Sequence, residues 1–152
     1  MLDIQLKSSN LIDIERIERF IYEVSSRIGA LLVMTPFVVH FPYNHNQVVK
    51  YLELQERERR EGGLLAKRMK EILVSRQSSV SGFSGIGLYE NSNCSVHIWP
   101  DTNFLSFDIS YLYDFHENDV KECMKNFFDI DTLSGLYITR KNGIQMIRTI
   151  KE

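Results

Sequence analysis

The apolar residues of this chain change period within the first thirty positions, and that change restricts the fold more than any other feature. Leu2, Ile4 and Leu6 alternate with polar residues, the pattern of a half-buried strand. From Leu11 onward the apolar positions are Ile14, Ile17, Phe20, Ile21, Val24 and Ile28, in steps of three and four that line one face of a helix. Ser8, Ser9 and Asn10 offer caps before it, and Gly29 offers a stop. A strand and a helix that each have one apolar side must bury those sides against another layer. Residues 30–42 are β-rich, and Pro36 argues for an edge position or a bulge there. Further strands are expected at 82–90, 94–99 and 104–112. A second amphipathic helix follows at His116 to Phe128, with Val120, Met124, Phe127 and Phe128 inward. Two last strands, 134–140 and 144–150, flank Lys141-Asn142-Gly143, and Asn-Gly is a hairpin signal.

Between these halves, residues 44–78 carry eight Lys or Arg against five Asp or Glu, while the rest of the chain is acidic. Val48, Val49, Leu52, Leu64, Leu65, Met69, Ile72 and Leu73 suggest two short amphipathic helices around Gly62-Gly63, with a solvated charged run from Gln55 to Glu61. The expected architecture is therefore an α+β two-layer sandwich. An antiparallel sheet carries two helices on one face, and a helical hairpin is inserted at 44–78. A length of 152 residues fits one domain. A net charge of −2 leaves no overall footprint for nucleic acid. No long apolar run suggests a signal peptide or a membrane span. Two cysteines, Cys94 and Cys123, make no disulfide framework and suit a cytoplasmic protein.

One stretch is dense in reactive side chains. Ser81 to Asp108 reads SGFSGIGLYENSNCSVHIWPDTNFLSFD and packs Ser84, Ser92, Ser95, His97, Trp99 and Asp101 into neighbouring strands. Ser92 and His97 are five residues apart, so along an extended strand they face opposite sides; a bend or bulge near Ser92 would bring them together. The glycines at 82, 85 and 87 lack the Lys-Ser/Thr that a phosphate loop needs. His40, His45, His97 and His116 have no metal spacing with the cysteines. Trp99 reads as packing and Pro100 as a strand end. His97, between Val96 and Ile98, also fits a core histidine.

The stretch resembles the pyruvoyl-dependent S-adenosylmethionine decarboxylases of bacteria and archaea. Their core runs from a Gly/Ser-rich turn to Glu-Ser-His-x-Ser-x-His-x-Trp-Pro-Glu and then an x-Asp-x strand. The same register here gives Asn91-Ser92-Asn93-Cys94-Ser95-Val96-His97-Ile98-Trp99-Pro100-Asp101, followed by Phe107-Asp108-Ile109. The flanks agree loosely, and the 44–78 segment stands outside the common pattern. The resemblance implies a proenzyme that cuts itself between Asn91 and Ser92, leaving Ser92 as an N-terminal pyruvoyl cofactor. It implies His97 as the processing base and Ser84, on the Gly-rich turn, as the supporting hydroxyl. Asp101 either contacts substrate or is a turn carboxylate. The pyruvoyl carbonyl would take the substrate amine and act as electron sink for loss of carbon dioxide. S-adenosylmethionine is the implied substrate, polyamine (spermidine) synthesis the implied role, and a homodimer the implied assembly.

Three residues depart from the pattern. Asn91 replaces the glutamate before the serine, and Asn93 replaces the histidine after it. The family's catalytic cysteine, a proton donor, falls near Leu112 in Ser110-Tyr111-Leu112-Tyr113; Tyr111 or Tyr113 could substitute as a slower acid. Two other functions are compatible with these departures. One is an unprocessed, non-catalytic binding or regulatory protein of the same type. The other is a pyruvoyl decarboxylase for another small amine-bearing acid such as arginine or ornithine.

Overall fold

The computed structural model describes residues 1–41, 81–141 and 144–152. The helical hairpin expected at 44–78 and the Asn142-Gly143 turn lie outside the described residues. Met1–Val39 and Gly82–Glu152 form one compact unit, and His40–Ser81 fall in a second. The elements are β1 (Leu2–Leu6), α1 (Ile14–Arg27), β2 (Phe37–Phe41), β3 (Gly82–Leu88), β4 (Asn93–Trp99), a 3-10 turn (Pro100–Thr102), β5 (Phe104–Ser110), α2 (Glu117–Phe127), β6 (Ile130–Lys141) and β7 (Ile144–Lys151). They make a seven-stranded sheet in the order β2-β3-β4-β5-β1-β6-β7, and its described pairings are antiparallel. This is the expected α+β sandwich, with both helices packed against the sheet and against each other.

Local chemistry moves some boundaries. Helix α1 begins three residues later than its apolar period suggests, because Asp13 caps it by accepting from the Arg16 N–H at 2.7 Å. Leu11 stays outside the helix and exposed. Ser9, expected as a cap, binds Asn103 Oδ1 at 2.8 Å instead. The β-rich run at 30–42 forms a strand only after Pro36, whose ring removes a ladder donor, and that strand is an edge, as the proline requires. In α2, the inward face includes Cys123 beside Val120 and Met124.

The core lies between α1, α2 and one sheet face. Phe20 is fully buried there, with the rings of Phe107, Phe127 and Phe128 edge-on at 5.2, 5.8 and 5.1 Å. The Gly-rich segment forms the strand expected at 82–90, so Ser84, which the resemblance puts on a turn, lies within β3, and helix packing explains the composition. A Cβ on Gly87 would lie 2.7 Å from Ile21 Cγ2 and 3.1 Å from Cys94 Sγ; one on Gly85 would lie 3.0 Å from both Ile17 Cγ2 and Val96 Cγ1. Only glycine lets α1 approach β3 this closely.

Phe20→Ala should lower the unfolding free energy in guanidinium by about 3–5 kcal/mol through lost burial and the cavity left behind. Gly87→Ala should lower it by about 1–3 kcal/mol through overpacking. A Gly87→Ala chain as stable as its parent would refute the close approach of α1.

Candidate functional site

Strands β3, β4 and β5 pair without a register shift. Phe83 faces Ile98 and Leu88 faces Asn93 across one seam. Asn93 faces Ser110 and Trp99 faces Phe104 across the other. Cys94, Val96 and Ile98 point into the core, so Ser95, His97 and Trp99 point to the opposite face. On that face Ser84 sits directly across from His97, and Ser84 Oγ lies 2.9 Å from His97 Nδ1. The pairing continues sideways from His97 to Ser106, then Asp3, then Ser134. Ser106 Oγ donates to Asp3 Oδ1 at 3.2 Å. One cross-strand row of polar side chains thus spans five strands. The rings of Trp99 and Phe104 continue beside it, Trp99 being 6.0 Å from His97 and 5.6 Å from Phe104.

Ser92 is elsewhere. It ends the turn between β3 and β4, where its carbonyl accepts from the Tyr89 N–H at 2.9 Å. Its hydroxyl oxygen is buried and, among the described residues, is the buried side-chain oxygen or nitrogen that has no hydrogen-bond partner. Five residues of extended strand cover roughly 17 Å, and β4 has no bulge to shorten the path. Ser92 and His97 of one chain therefore do not meet. The bend that would have joined them is absent, because every residue from Asn93 to Ile98 is paired on both sides and Trp99 is paired with Phe104.

Ser92 borders a cleft of about 610 Å³. The opening has a simple origin. Strand β1 separates β5 from β6 only as far as Leu2, which pairs with Phe107 and Gly135. Beyond it, Asp108 to Phe115 on one side and Leu136 to Thr139 on the other bound the space. One residue past the Asn93–Ser110 pair, Ser92 comes beside Tyr111, and Asn91 and Leu112 also border the cleft. Leu112 is 67% exposed. Tyr111 donates its hydroxyl to the Gly29 carbonyl at 2.9 Å, and Tyr113 packs edge-on against it at 5.6 Å while remaining exposed. The residues that the sequence grouped are therefore divided. Ser92 and Leu112 share the cleft; Ser84 and His97 form a bonded pair mid-sheet; Asp101 is exposed in the 3-10 turn at the far end of β4 and does not border the cleft.

Sequence reasoning missed the buried polar cluster behind the turn. Tyr89, 4% exposed, has its hydroxyl 3.1 Å from Ser25 Oγ and close enough to the Cys94 thiol for the two to interact. Tyrosine between Leu88 and Glu90 reads as an ordinary strand residue, and Ser25 as a polar break in a helix face. Only the packing of α1 against β3 and the turn that follows it joins them. Burial raises the Cys94 thiol pKa, opposed by its bonds to Tyr89 and Gly87. Burial also pushes Cys123 up to about 12, opposed by Arg27. Both thiols are free and buried. At mildly alkaline pH a water-soluble disulfide reagent should leave both thiols of the native chain unmodified, and denaturant should release both. Rapid modification of Cys94 in the native chain would contradict its place behind the turn.

No group of three or more His, Cys, Asp or Glu side chains able to hold a metal ion occurs among the described residues. No helix among them is long and apolar enough to cross a membrane. No curated protein matches the sequence. A family model described as S-adenosylmethionine decarboxylase matches residues 64–141, about half of the chain. The match includes β3 to β6 and begins within the 44–78 segment, so the part from residue 64 falls inside the common pattern rather than outside it.

Proposed function

The chain belongs to the S-adenosylmethionine decarboxylase family, and on that premise we propose that it is a pyruvoyl-dependent decarboxylase of S-adenosylmethionine that cuts itself between Asn91 and Ser92. The observation that carries this reading is the Ser92 hydroxyl, buried without a partner at the edge of a cleft. A buried hydroxyl left unbonded costs about 1–3 kcal/mol, a cost more readily understood at a reacting group than at a structural one. A serine so held suits the precursor of a pyruvoyl group, and the cleft beside it has room for a small amine-bearing acid.

In the processing step Ser92 Oγ attacks the carbonyl carbon of Asn91. The amide C–N bond breaks, an ester C–O bond forms, and the hydroxyl proton ends on the freed nitrogen of Ser92. A base then removes the Cα proton of Ser92, and Asn91 leaves as a carboxylate. Addition of water and loss of ammonia complete the group, whose carbonyl supplies an electron sink for decarboxylation. The base is a histidine hydrogen-bonded to serine, yet His97 of the same chain lies roughly 17 Å along the strand from Ser92. We therefore assign the base to His97 of the partner subunit in a homodimer. Ile86 and Leu88 on β3, and Leu136, Ile138 and Ile147 on β6 and β7, are exposed on the same sheet face as His97, and a two-fold partner would cover them. The role in polyamine synthesis follows from the substrate.

Intact-mass measurement should find fragments 1–91 and 92–152, the second blocked by a carbonyl that borohydride reduces. Ser92→Ala should stay full length, and a parent chain that also stays full length removes the pyruvoyl reading. Co-expression separates the two histidine assignments. Ser92→Ala and His97→Ala chains should each remain uncut alone, while together the His97→Ala chain should be cut by the imidazole of its partner. An uncut mixture would place the base within one chain.

Leu112 favours a second reading, an unprocessed binding protein, because a side chain with no proton to give lines the cleft where the family has its donor. If cleavage occurs, Leu112→Cys should raise carbon dioxide release from S-adenosylmethionine, by about 10²-fold where proton donation limits the rate. If it does not, calorimetric binding of S-adenosylmethionine to the uncut chain supports the binding protein.

A further inference from the structure

The orphaned Ser92 hydroxyl raises a question of orientation. An attacking oxygen must be held close to the carbonyl carbon it reaches, and rates are sensitive to displacements of an ångström or less. No hydrogen bond orients Ser92 Oγ. Its direction is set instead by the backbone of the turn, and one residue ties that backbone to the rest of the molecule. Tyr89 donates its N–H to the Ser92 carbonyl at 2.9 Å. It forms an isolated antiparallel bridge with Leu32, beside the Val33 N–H to Leu88 carbonyl bond at 3.0 Å. Its hydroxyl meets Ser25 Oγ at 3.1 Å and the Cys94 thiol, so one side chain links α1 to β4. Its ring packs edge-on against Tyr111 at 5.9 Å, and the Tyr111 hydroxyl is in turn tied to the Gly29 carbonyl. Tyr89 thus supports both Ser92 at the cleft edge and Tyr111 in the cleft wall.

We propose that Tyr89 is a positioning residue for the attack of Ser92 on Asn91, its buried hydroxyl being locked by Ser25 and Cys94 so that the turn presents Ser92 Oγ to the scissile carbonyl. This inference rests on the self-cleaving reading above. The hydroxyl is held neutral by burial, which raises its pKa well above the ordinary tyrosine range. Its contribution is therefore geometric and constant across the pH range in which the protein is folded.

The test follows cleavage over time in cell-free translation of the full chain. The parent is compared with Tyr89→Phe, Ser25→Ala and the double variant, and hydroxylamine traps any ester. Each single change should slow the appearance of fragment 1–91 by about tenfold, as a small misplacement of a reacting group does. The double change should be no slower than the slower single, because both remove one linked contact. Ester should not accumulate, since the slowed step is its formation, and the pH dependence of cleavage should match the parent's. Melting temperatures measured in a Ser92→Ala background, where no chain is cut, should show the variants folded at the assay temperature. A parent that is never cut overturns the self-cleaving reading and this inference with it. A parent that is cut while Tyr89→Phe and Ser25→Ala keep pace overturns the positioning role alone. So does a slowed variant that accumulates ester, or one whose loss of rate equals its loss of folded chain.

Discussion

The unbroken antiparallel register of β3, β4 and β5 is the constraint on which the rest of the site depends. Because the side-chain period of a strand is two, a slip of one residue would exchange the faces of every side chain on β4. Cys94, Val96 and Ile98 in the core therefore hold Ser95, His97 and Trp99 on the other face. The same register sets Ser84 across from His97 and brings Ser92 beside Tyr111. The glycines at 85 and 87 let α1 press on β3 without a gap, which fixes the register from the core side.

That constraint divides the chemistry between two places. The hydrogen-bonded pair of Ser84 and His97 is in the middle of the sheet, within a row that runs on to Ser106 and Asp3. The cleft with Ser92 and Leu112 is at the end of the sheet, where β1 stops separating β5 from β6. Under the self-cleaving reading proposed above, the chain would hold the serine and the histidine of one reaction apart, and a symmetric assembly would join them. The three rings around Phe20 and the Tyr89–Ser25–Cys94 cluster lie on the helix side of the same sheet.

Much of the architecture was legible because its cause is local. Strand β1 and helix α1 follow from apolar period alone, and the edge position of β2 follows from Pro36. The errors were at element ends. Asp13 caps α1 although Ser8, Ser9 and Asn10 precede it, because capping needs one side chain at one dihedral geometry rather than a polar residue nearby. The strand at 82–90 was readable, but the need for its glycines was not, since they answer to Ile17 and Ile21 of a distant helix. In the site, the kinship of Ser-x-His-x-Trp-Pro was readable as a string. The buried cluster at Tyr89 was not, because Ser25 and Cys94 reach it from positions far apart in the chain.

The sequence by itself determined the two-layer class through its apolar period, and it carried the family resemblance in the Ser-x-His-x-Trp-Pro string with its reactive residue types, because both are written along the chain. Only the tertiary structure decided which of those residues are neighbours. It joined Ser84 to His97, set Ser92 at a cleft with Leu112, and left Asp101 at the far end of β4. The physical reason is that distance across a sheet is fixed by strand pairing, whereas distance along a strand grows by roughly 3.3 Å with every residue. Residues close in the sequence can therefore lie apart, and residues far apart can touch.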